Sequence, residues 1–369
     1  MNNKKYQTIF DCGFSKVRAG IFNKNNQQEA FYSESEFFTN QLDLDQKIQK
    51  IISSFEKDTN EYIDNINLMI DSPKMFSVGI SISKKLDGSI LKQSNIQFLV
   101  QEAKQQISKF YADYNIAHII INNYKIDSVD YSYLPDQIKC HLISLDIFFI
   151  CIPTDLVLFF KDVFSKSNIF INQIICSSYA KSINYKDNLN LNGHILFIDV
   201  GFNKTSIISY YNDMFLSINI LPIGGNHITK DISKILEIDL EQSELIKINF
   251  DKNQKVLTDK NISIDTLQKI VFARTEEILE LCVKSVESNF LLFGNFKMVL
   301  MGEGSKILDN EYKDKIFFSN DIDFLEETSE NICQSGFKLT MGFNKREVVI
   351  VPKKQIKLGF FEKLFHLFK

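Results

Sequence analysis

One short pattern occurs twice in this 369-residue chain and constrains its fold more than any other feature. An apolar strand ends in Asp, a Gly stands two residues later, and a second strand returns. The first copy places Asp11 before Gly13, and the second places Asp199 before Gly201. A single Asp-x-Gly turn is an ordinary feature of many proteins. Two copies in the same setting predict two related lobes, each built around a β-hairpin.

The remainder of the chain alternates strand and helix patterns, which indicates an α/β architecture. The segment from about 72 to 153 carries strands around one helix and has no Gly-rich or acid-base signature, so we interpret it as an inserted module. The apolar run 143–160 is interrupted by charged residues and a proline, so it predicts a buried strand and helix, not a membrane span. Helices are expected over 45–55, 97–111, 155–165, 228–236 and 266–288.

Composition excludes several classes of function. A formal net charge of −4 gives the chain no electrostatic reason to bind nucleic acid. The six cysteines are scattered, with no C-x-x-C pair and no His at ligand spacing, so we expect reduced thiols and neither zinc nor disulfides. The polar start, Met1 to Gln7, predicts no signal peptide.

The two Asp-x-Gly turns have the chemistry of a phosphate site. Glycine allows the backbone to approach a ligand closely, and a turn after a strand can point N–H groups at phosphate oxygens. Asp11 and Asp199 could each hold hydrated Mg²⁺ through water. A third strand-to-glycine turn, Leu300–Ser305, would suit an approaching adenosine, although alone it could be an ordinary strand-to-helix turn.

Two further stretches make the pattern more specific: Leu221–Thr229 (LPIGGNHIT) and Ala273–Ile278 (ARTEEI). With the three turns, this ordered set resembles the actin, heat-shock ATPase and sugar kinase superfamily, and within it the FtsA family of bacterial cell-division proteins. The resemblance extends over nearly the whole chain. It implies an actin-like ATPase fold of two ribonuclease-H-like lobes with an inserted FtsA-type subdomain and a C-terminal amphipathic helix.

The resemblance also implies domain boundaries and ligands. The expected parts are a first lobe core (1–71 and 154–190), the inserted subdomain (72–153), a second lobe core (191–225 and 297–343), its smaller subdomain (226–296), a linker (344–357) and a membrane anchor (358–369). ATP and Mg²⁺ are the implied cofactors. The implied nucleotide-side residues are Asp11, Gly13, Ser15 and Lys16 in the first turn, Asp199, Gly201 and Thr205 in the second, and Gly225, Asn226, Arg274, Glu277, Gly302, Gly304 and Ser305 around ribose and adenine.

Two observations limit what this site is expected to do. Phe202, Asn203 and Lys204 stand where the FtsA turn is normally glycine-rich, which restricts φ > 0 geometry. Lys204 could supply charge to a phosphate or point to solvent. Arg274 and Glu277 stand three residues apart on a helix, so a surface ion pair is an alternative to nucleotide contact. No general base is evident, and we expect at most weak ATPase activity.

The last residues differ in charge from the rest of the chain. From Lys345 onward, seven Lys or Arg against two Glu give a net charge of +5, which leaves −9 on the body. The segment 358–369 is too short to cross a bilayer but predicts an amphipathic helix that lies on anionic lipid or, alternatively, packs on its own protein. The residues expected at the membrane are the apolar face, Phe360, Phe361, Leu364, Phe365, Leu367 and Phe368, and the flanking Lys363.

By resemblance we expect a division protein at the septum, on the cytoplasmic side of the inner membrane. Its partners would be the FtsZ C-terminal peptide, other copies of itself, inner-membrane lipids and later division proteins, with no nucleic acid. One alternative is the ATP-binding assembly protein of type IV pili, which lacks the terminal anchor. A small-molecule kinase is a second alternative, but it would need a carboxylate base and a sugar pocket, for which no motif is present.

Overall fold

The computed structural model describes residues 5–25, 29–36, 41–248, 263–286, 288, 294–307, 322–342 and 346–348. Its first lobe is a five-stranded mixed sheet in the order β3-β2-β1-β4-β9. Strands β1, β2 and β3 pair antiparallel in succession. Strand β4 runs parallel to β1, and β9 runs parallel to β4. The strands are β1 Tyr6–Cys12, β2 Lys16–Asn23, β3 Ala30–Glu36, β4 Asn65–Ile70 and β9 Phe170–Cys176.

The second lobe repeats this topology in the order β12-β11-β10-β13-β14. An Asp-x-Gly turn joins β1 to β2 in the first sheet and β10 to β11 in the second. The duplication predicted from the two hairpins is therefore confirmed, and so is the α/β class. In each sheet, the carboxyl ends of the parallel strands lie at the same edge as the Asp-x-Gly turn. The strands are β10 His194–Val200, β11 Thr205–Tyr211, β12 Met214–Leu221, β13 Lys297–Met301 and β14 Ile322–Phe324.

Helices pack on both sheets and between them. Apolar residues of β1 and β10, including Phe10 and Phe197, belong to one continuous core, so the lobes are packed against each other. Helix α8 is tightly seated on β1 and β4, since a Cβ on Gly336 would lie 2.4 Å from Met69 Sδ. The helices are α1 Gln41–Thr59, α2 Gln93–Phe110, α3 Thr154–Ser165, α4 Ser177–Asn188, α5 Gly225–Leu236, α6 Leu240–Ile248, α7 Ile264–Ser285 and α8 Ser329–Thr340.

A third sheet lies within the inserted segment and is antiparallel, in the order β5-β8-β6-β7. Helix α2 packs on it and contributes to a separate apolar core. Asn122 ties this sheet to the second lobe, because its Nδ2 donates to the Phe215 carbonyl at 2.5 Å and its Oδ1 accepts from the Phe215 N–H at 3.1 Å. The strands are β5 Phe76–Ile90, β6 Tyr114–Ile126, β7 Val129–Tyr131 and β8 Lys139–Pro153.

Residues 346–348, which stand near the start of the expected linker over 344–357, pair with the inserted sheet. The Ile121 N–H donates to the Arg346 carbonyl and the Val348 N–H donates to the Ile119 carbonyl, each at 2.9 Å. The short segment is therefore paired antiparallel to β6. The physical reason is that β6 offers unpaired backbone groups here, and any extended segment can satisfy them.

The expected anchor, 358–369, lies outside the described residues. Within the part of the chain that is described, no helix is long and apolar enough to cross a membrane. All six cysteines are buried free thiols.

Candidate functional site in the interlobe cleft

A cavity of about 90 Å³ lies where the Asp-x-Gly turns of the two lobes face each other. Both lobes contribute to its wall. The structure brings seven of the predicted nucleotide-side residues together around it: Asp11, Gly13, Ser15, Lys16, Asp199, Gly201 and Gly302.

Several other predicted residues shape the second and third turns instead of lining the cavity. The Thr205 hydroxyl donates to the Ile223 carbonyl at 2.7 Å, and the Ser305 hydroxyl donates to the Gly302 carbonyl at 2.7 Å. The Gly225 and Asn226 N–H groups donate to carbonyls of the 201–202 turn at 2.9 and 2.7 Å. At Gly304, a Cβ would lie 2.7 Å from Val200 Cγ1, so this glycine permits close packing on β10.

Gly302 has a backbone conformation that requires glycine. Its φ is +92°, and a Cβ there would lie 2.4 Å from Oδ1 of Asp199. By contrast, none of residues 202–204 has a positive φ. Phe202, Asn203 and Lys204 therefore form this turn without a residue in the left-handed region.

Arg274 and Glu277 do not reach this cavity. Arg274 binds Asp231 of α5 through two hydrogen bonds, from Nε to Oδ2 at 2.5 Å and from Nη2 to Oδ1 at 3.0 Å. Its Nη1 donates to Glu277 Oε2 at 2.6 Å. The hydrogen bonds that Arg274 donates to Asp231 raise the pKa of its guanidinium, and burial opposes this shift. In this structure the pair acts as an ion-pair link between α5 and α7.

Lys181, which the sequence reasoning missed, crosses the cleft from α4. Its Nζ lies 2.8 Å from Asp199 Oδ2 and 3.1 Å from Glu327 Oε2. Burial alone would lower the pKa of this ammonium, but the two carboxylates raise it well above its ordinary value. Glu327 also accepts hydrogen bonds from the Gly302 N–H at 2.8 Å and the Tyr185 hydroxyl at 2.9 Å.

Lys204 crosses in the opposite direction, from the second lobe to the first. Its Nζ lies 2.9 Å from Asp71 Oδ2 and 2.9 Å from the Ser206 hydroxyl. Burial opposes its charge, yet Asp71 and Asp199 raise its pKa. Lys204 is only 8% exposed, so the solvent-pointing alternative considered for it is wrong.

The first turn is held in the same manner. Arg18 Nη1 lies 3.3 Å from Asp11 Oδ2, and its Nη2 lies 2.9 Å from Glu303 Oε1 in the second lobe. The Ser177 hydroxyl donates to Asp11 Oδ1 at 2.6 Å. Each carboxylate lining the described cavity thus has a cation within 3.3 Å.

The sequence pattern could have indicated two of these missed residues, Asp71 and Lys181. Asp71 directly follows β4, the strand parallel to β1, and so reaches the same sheet edge as Asp11. Lys181 stands on a helix whose buried positions are mostly polar, including Ser177, Ser178 and Ser182, and buried polar residues on a helix indicate a network. The partner of each lysine depends on how the lobes meet, which the sequence does not display.

The cleft as arranged does not fit Mg²⁺ at Asp11 and Asp199. Both carboxylates already pair with a buried cation, and a second cation there would be repelled. No group of three His, Cys, Asp or Glu in the described ranges is placed to hold a metal. The cavity of about 90 Å³ is also smaller than the ~300–1,000 Å³ of typical ligand pockets.

Comparison with known proteins identifies the relatives of this chain. A family model described as "Cell division protein FtsA" matches residues 196–306, which span the second Asp-x-Gly turn and the turn at Gly302. The chain is related to FtsA.

Two FtsA proteins from Buchnera aphidicola extend the similarity along the chain. The protein from strain Sg is 25% identical over 68% of this chain, a match that spans 62% of its own length and hence less than two thirds of it. The protein from strain APS is 24% identical over 83% of this chain and 82% of its own length. The FtsA resemblance expected from the sequence is thereby confirmed.

A solved structure titled "PilM-PilN type IV pilus biogenesis complex" is similar in fold. It superimposes with a TM-score of 0.61 at 12% identity, over 89% of this chain and 94% of its own. With the repeated sheet topology, this confirms the actin-like fold. At this identity the likeness concerns fold alone.

Proposed function

We propose that the chain is a division adaptor that tethers FtsZ polymers to the cytoplasmic face of the inner membrane and recruits later division proteins. The observation that carries this proposal is the similarity to FtsA along most of the chain. We take the role to be structural, with at most weak ATPase activity, because every carboxylate around the described cavity is engaged in an ion pair.

The membrane link is assigned to 358–369. A dozen residues with large apolar rings and a basic flank suit the headgroup boundary. Such a short helix binds weakly and reversibly. Self-association of the body would present many anchors together, and avidity could raise binding ~10²-fold or more without any new contact.

The FtsZ peptide is assigned to α5 and α6 of the second lobe. These packed helices expose four large apolar side chains, with Ile235 at 56%, Leu240 at 53%, Leu245 at 55% and Ile248 at 65%. An amphipathic peptide could cover such a surface.

ATP binding stays a prediction, and it would require the cleft to open beyond the arrangement described above. Thermal unfolding with and without ATP tests it directly. The adaptor role does not depend on the result, because its elements lie on α5, α6 and 358–369.

Sedimentation with anionic liposomes tests the tether. The full chain should pellet with lipid, and a chain truncated before Leu358 should stay in the supernatant. Phe365→Asp should abolish pelleting, while His366→Asp, which adds the same charge on the polar side of the predicted helix, should reduce it much less. Equal pelleting of the full and truncated chains would contradict the proposal and favour the pilus-type alternative, which lacks an anchor.

A further inference from the structure

We propose that Lys181 and Lys204 form an internal clamp that closes the interlobe cleft in place of a bound divalent cation, so that closure needs neither Mg²⁺ nor nucleotide. This inference goes beyond the division role and does not rest on it. It follows from the way in which the cleft carboxylates are paired.

The two lysines cross the cleft in opposite directions. Lys181 reaches from α4 of the first lobe to Asp199 of the second at 2.8 Å. Lys204 reaches from the second lobe to Asp71 of the first at 2.9 Å. The side chains of these four residues are at most 11% exposed, so water screens their attraction little. Separation of the lobes would break both pairs together.

Lys181 stands where a shared cation would stand. Its ammonium lies between Asp199 and Glu327, at 2.8 and 3.1 Å from one oxygen of each. Two carboxylates converging on one point repel unless a cation or a proton lies between them. In this chain a lysine supplies that charge.

Neighbouring groups fix the positions of the residues that pair with the clamp lysines. Asp71 accepts hydrogen bonds from the Ser178 N–H at 3.1 Å and from the Cys176 thiol at 3.2 Å, which fix it beside Lys204. Arg18 is itself held between Asp11 and Glu303. A polyphosphate entering this closed cleft would therefore meet no uncompensated cation among the described residues that line it.

The decisive experiment measures Tm of the full chain in EDTA, in excess Mg²⁺, and in Mg²⁺ with ATP. For the wild type, Mg²⁺ alone should leave Tm unchanged, and ATP should act equally with and without Mg²⁺. Lys181→Met should lower Tm in EDTA by about 5 °C or more, since one partner of a buried pair is lost. Mg²⁺ should then restore part of that loss, because it can occupy the space between Asp199 and Glu327.

Two control variants separate this effect from general damage. Lys181→Arg keeps the charge, and its Tm should not change when Mg²⁺ is added. Lys186→Met removes another lysine of α4, whose Nζ pairs with Asp213 at 2.7 Å outside the cleft, and should gain no response to Mg²⁺.

A Mg²⁺-dependent rise in the wild-type Tm would overturn the clamp, as would a Lys181→Met variant that Mg²⁺ does not stabilise. Should that variant fail to fold in EDTA, hydrogen exchange of the wild type decides. Equal protection of α4 and β10 with and without Mg²⁺ supports the clamp, and protection gained on adding Mg²⁺ refutes it.

Discussion

Glu347 and His118 form a buried pair in which Glu347 Oε1 lies 2.5 Å from His118 Nδ1. The other ring nitrogen, Nε2, accepts the Cys176 N–H at 2.8 Å, so the ring proton resides on Nδ1 and is donated to the carboxylate. The paired segment 346–348 is thereby connected to the first residue before α4. This helix carries Ser177 and Lys181 into the cleft.

Removal of the Glu347 carboxylate should release this segment. For Glu347→Ala we expect a loss of about 1.5–3 kcal/mol in the free energy of unfolding, the usual range for a hydrogen bond to a charged group. The Ile121 amide, which donates to Arg346, should exchange faster with solvent. Glu326→Ala, at an exposed position, should stay within ~0.5 kcal/mol of the wild type. Unchanged exchange at Ile121 would show that the pair does not hold the segment.

The Asp71–Lys204 pair predicts a specific pH dependence of stability. Burial would raise the pKa of Asp71, but Lys204 lowers it below its ordinary 3.8. A depressed carboxyl pKa stabilises the fold above the unfolded value, and this contribution is lost as the pH falls through 3.8 toward the folded value.

Urea midpoints from about pH 6 to about pH 3 check this prediction. The wild type should lose stability steeply in acid, and Lys204→Met should be less stable at pH 6 but show a shallower decline. Parallel curves for the two proteins would mean that the pair does not titrate with folding.

Replacement of Gly302 by alanine should damage the cleft turn far more than the same change at another left-handed glycine. Gly302→Ala adds backbone strain and a contact of 2.4 Å with Asp199, so we expect a loss of at least about 3 kcal/mol. Gly294 has φ +69° with nothing within 4 Å of its Cβ position, and its alanine variant should lose only about 1 kcal/mol. Equal losses measured by urea unfolding would rule out the contact with Asp199 as the cause.

Binding of the FtsZ C-terminal peptide should depend on the exposed face of α5 and α6. Leu245→Asp should weaken binding about tenfold or more in a fluorescence anisotropy titration, as expected for an apolar anchor. Leu158→Asp, an equally exposed leucine on α3 of the first lobe, should bind as the wild type does. A similar loss in both variants would place the peptide elsewhere.

Local patterns predicted much of this fold because they depend on residues that are close in sequence. The two hairpins were located to within two residues, and the predicted helix 155–165 begins one residue earlier in the structure, at Thr154. The α/β class followed from alternating strand and helix patterns, and the actin-like fold was implied by the resemblance that the three glycine turns carry together with Leu221–Thr229 and Ala273–Ile278.

The cleft chemistry was harder to predict because it depends on contacts between distant segments. Asp71 and Lys204 are 133 residues apart, and no local sequence pattern around either residue predicts that the two form a pair. The same reason explains why 346–348 was expected to be a linker, since its partner strand, β6, lies more than 200 residues earlier. The proposed roles of Asp11, Asp199 and the other turn residues toward a nucleotide stay predictions.

The pairing of 346–348 with β6 limits how far the body can stand from a bilayer. Ten peptide steps separate Val348 from Leu358, and a chain of that length can extend at most about 36 Å. If 358–369 lies on lipid, Val348 and its partner strand β6 must lie within about 36 Å of the membrane. Every copy in a filament would then be held at the same height and with the same side down, which would orient the surfaces available to its partners.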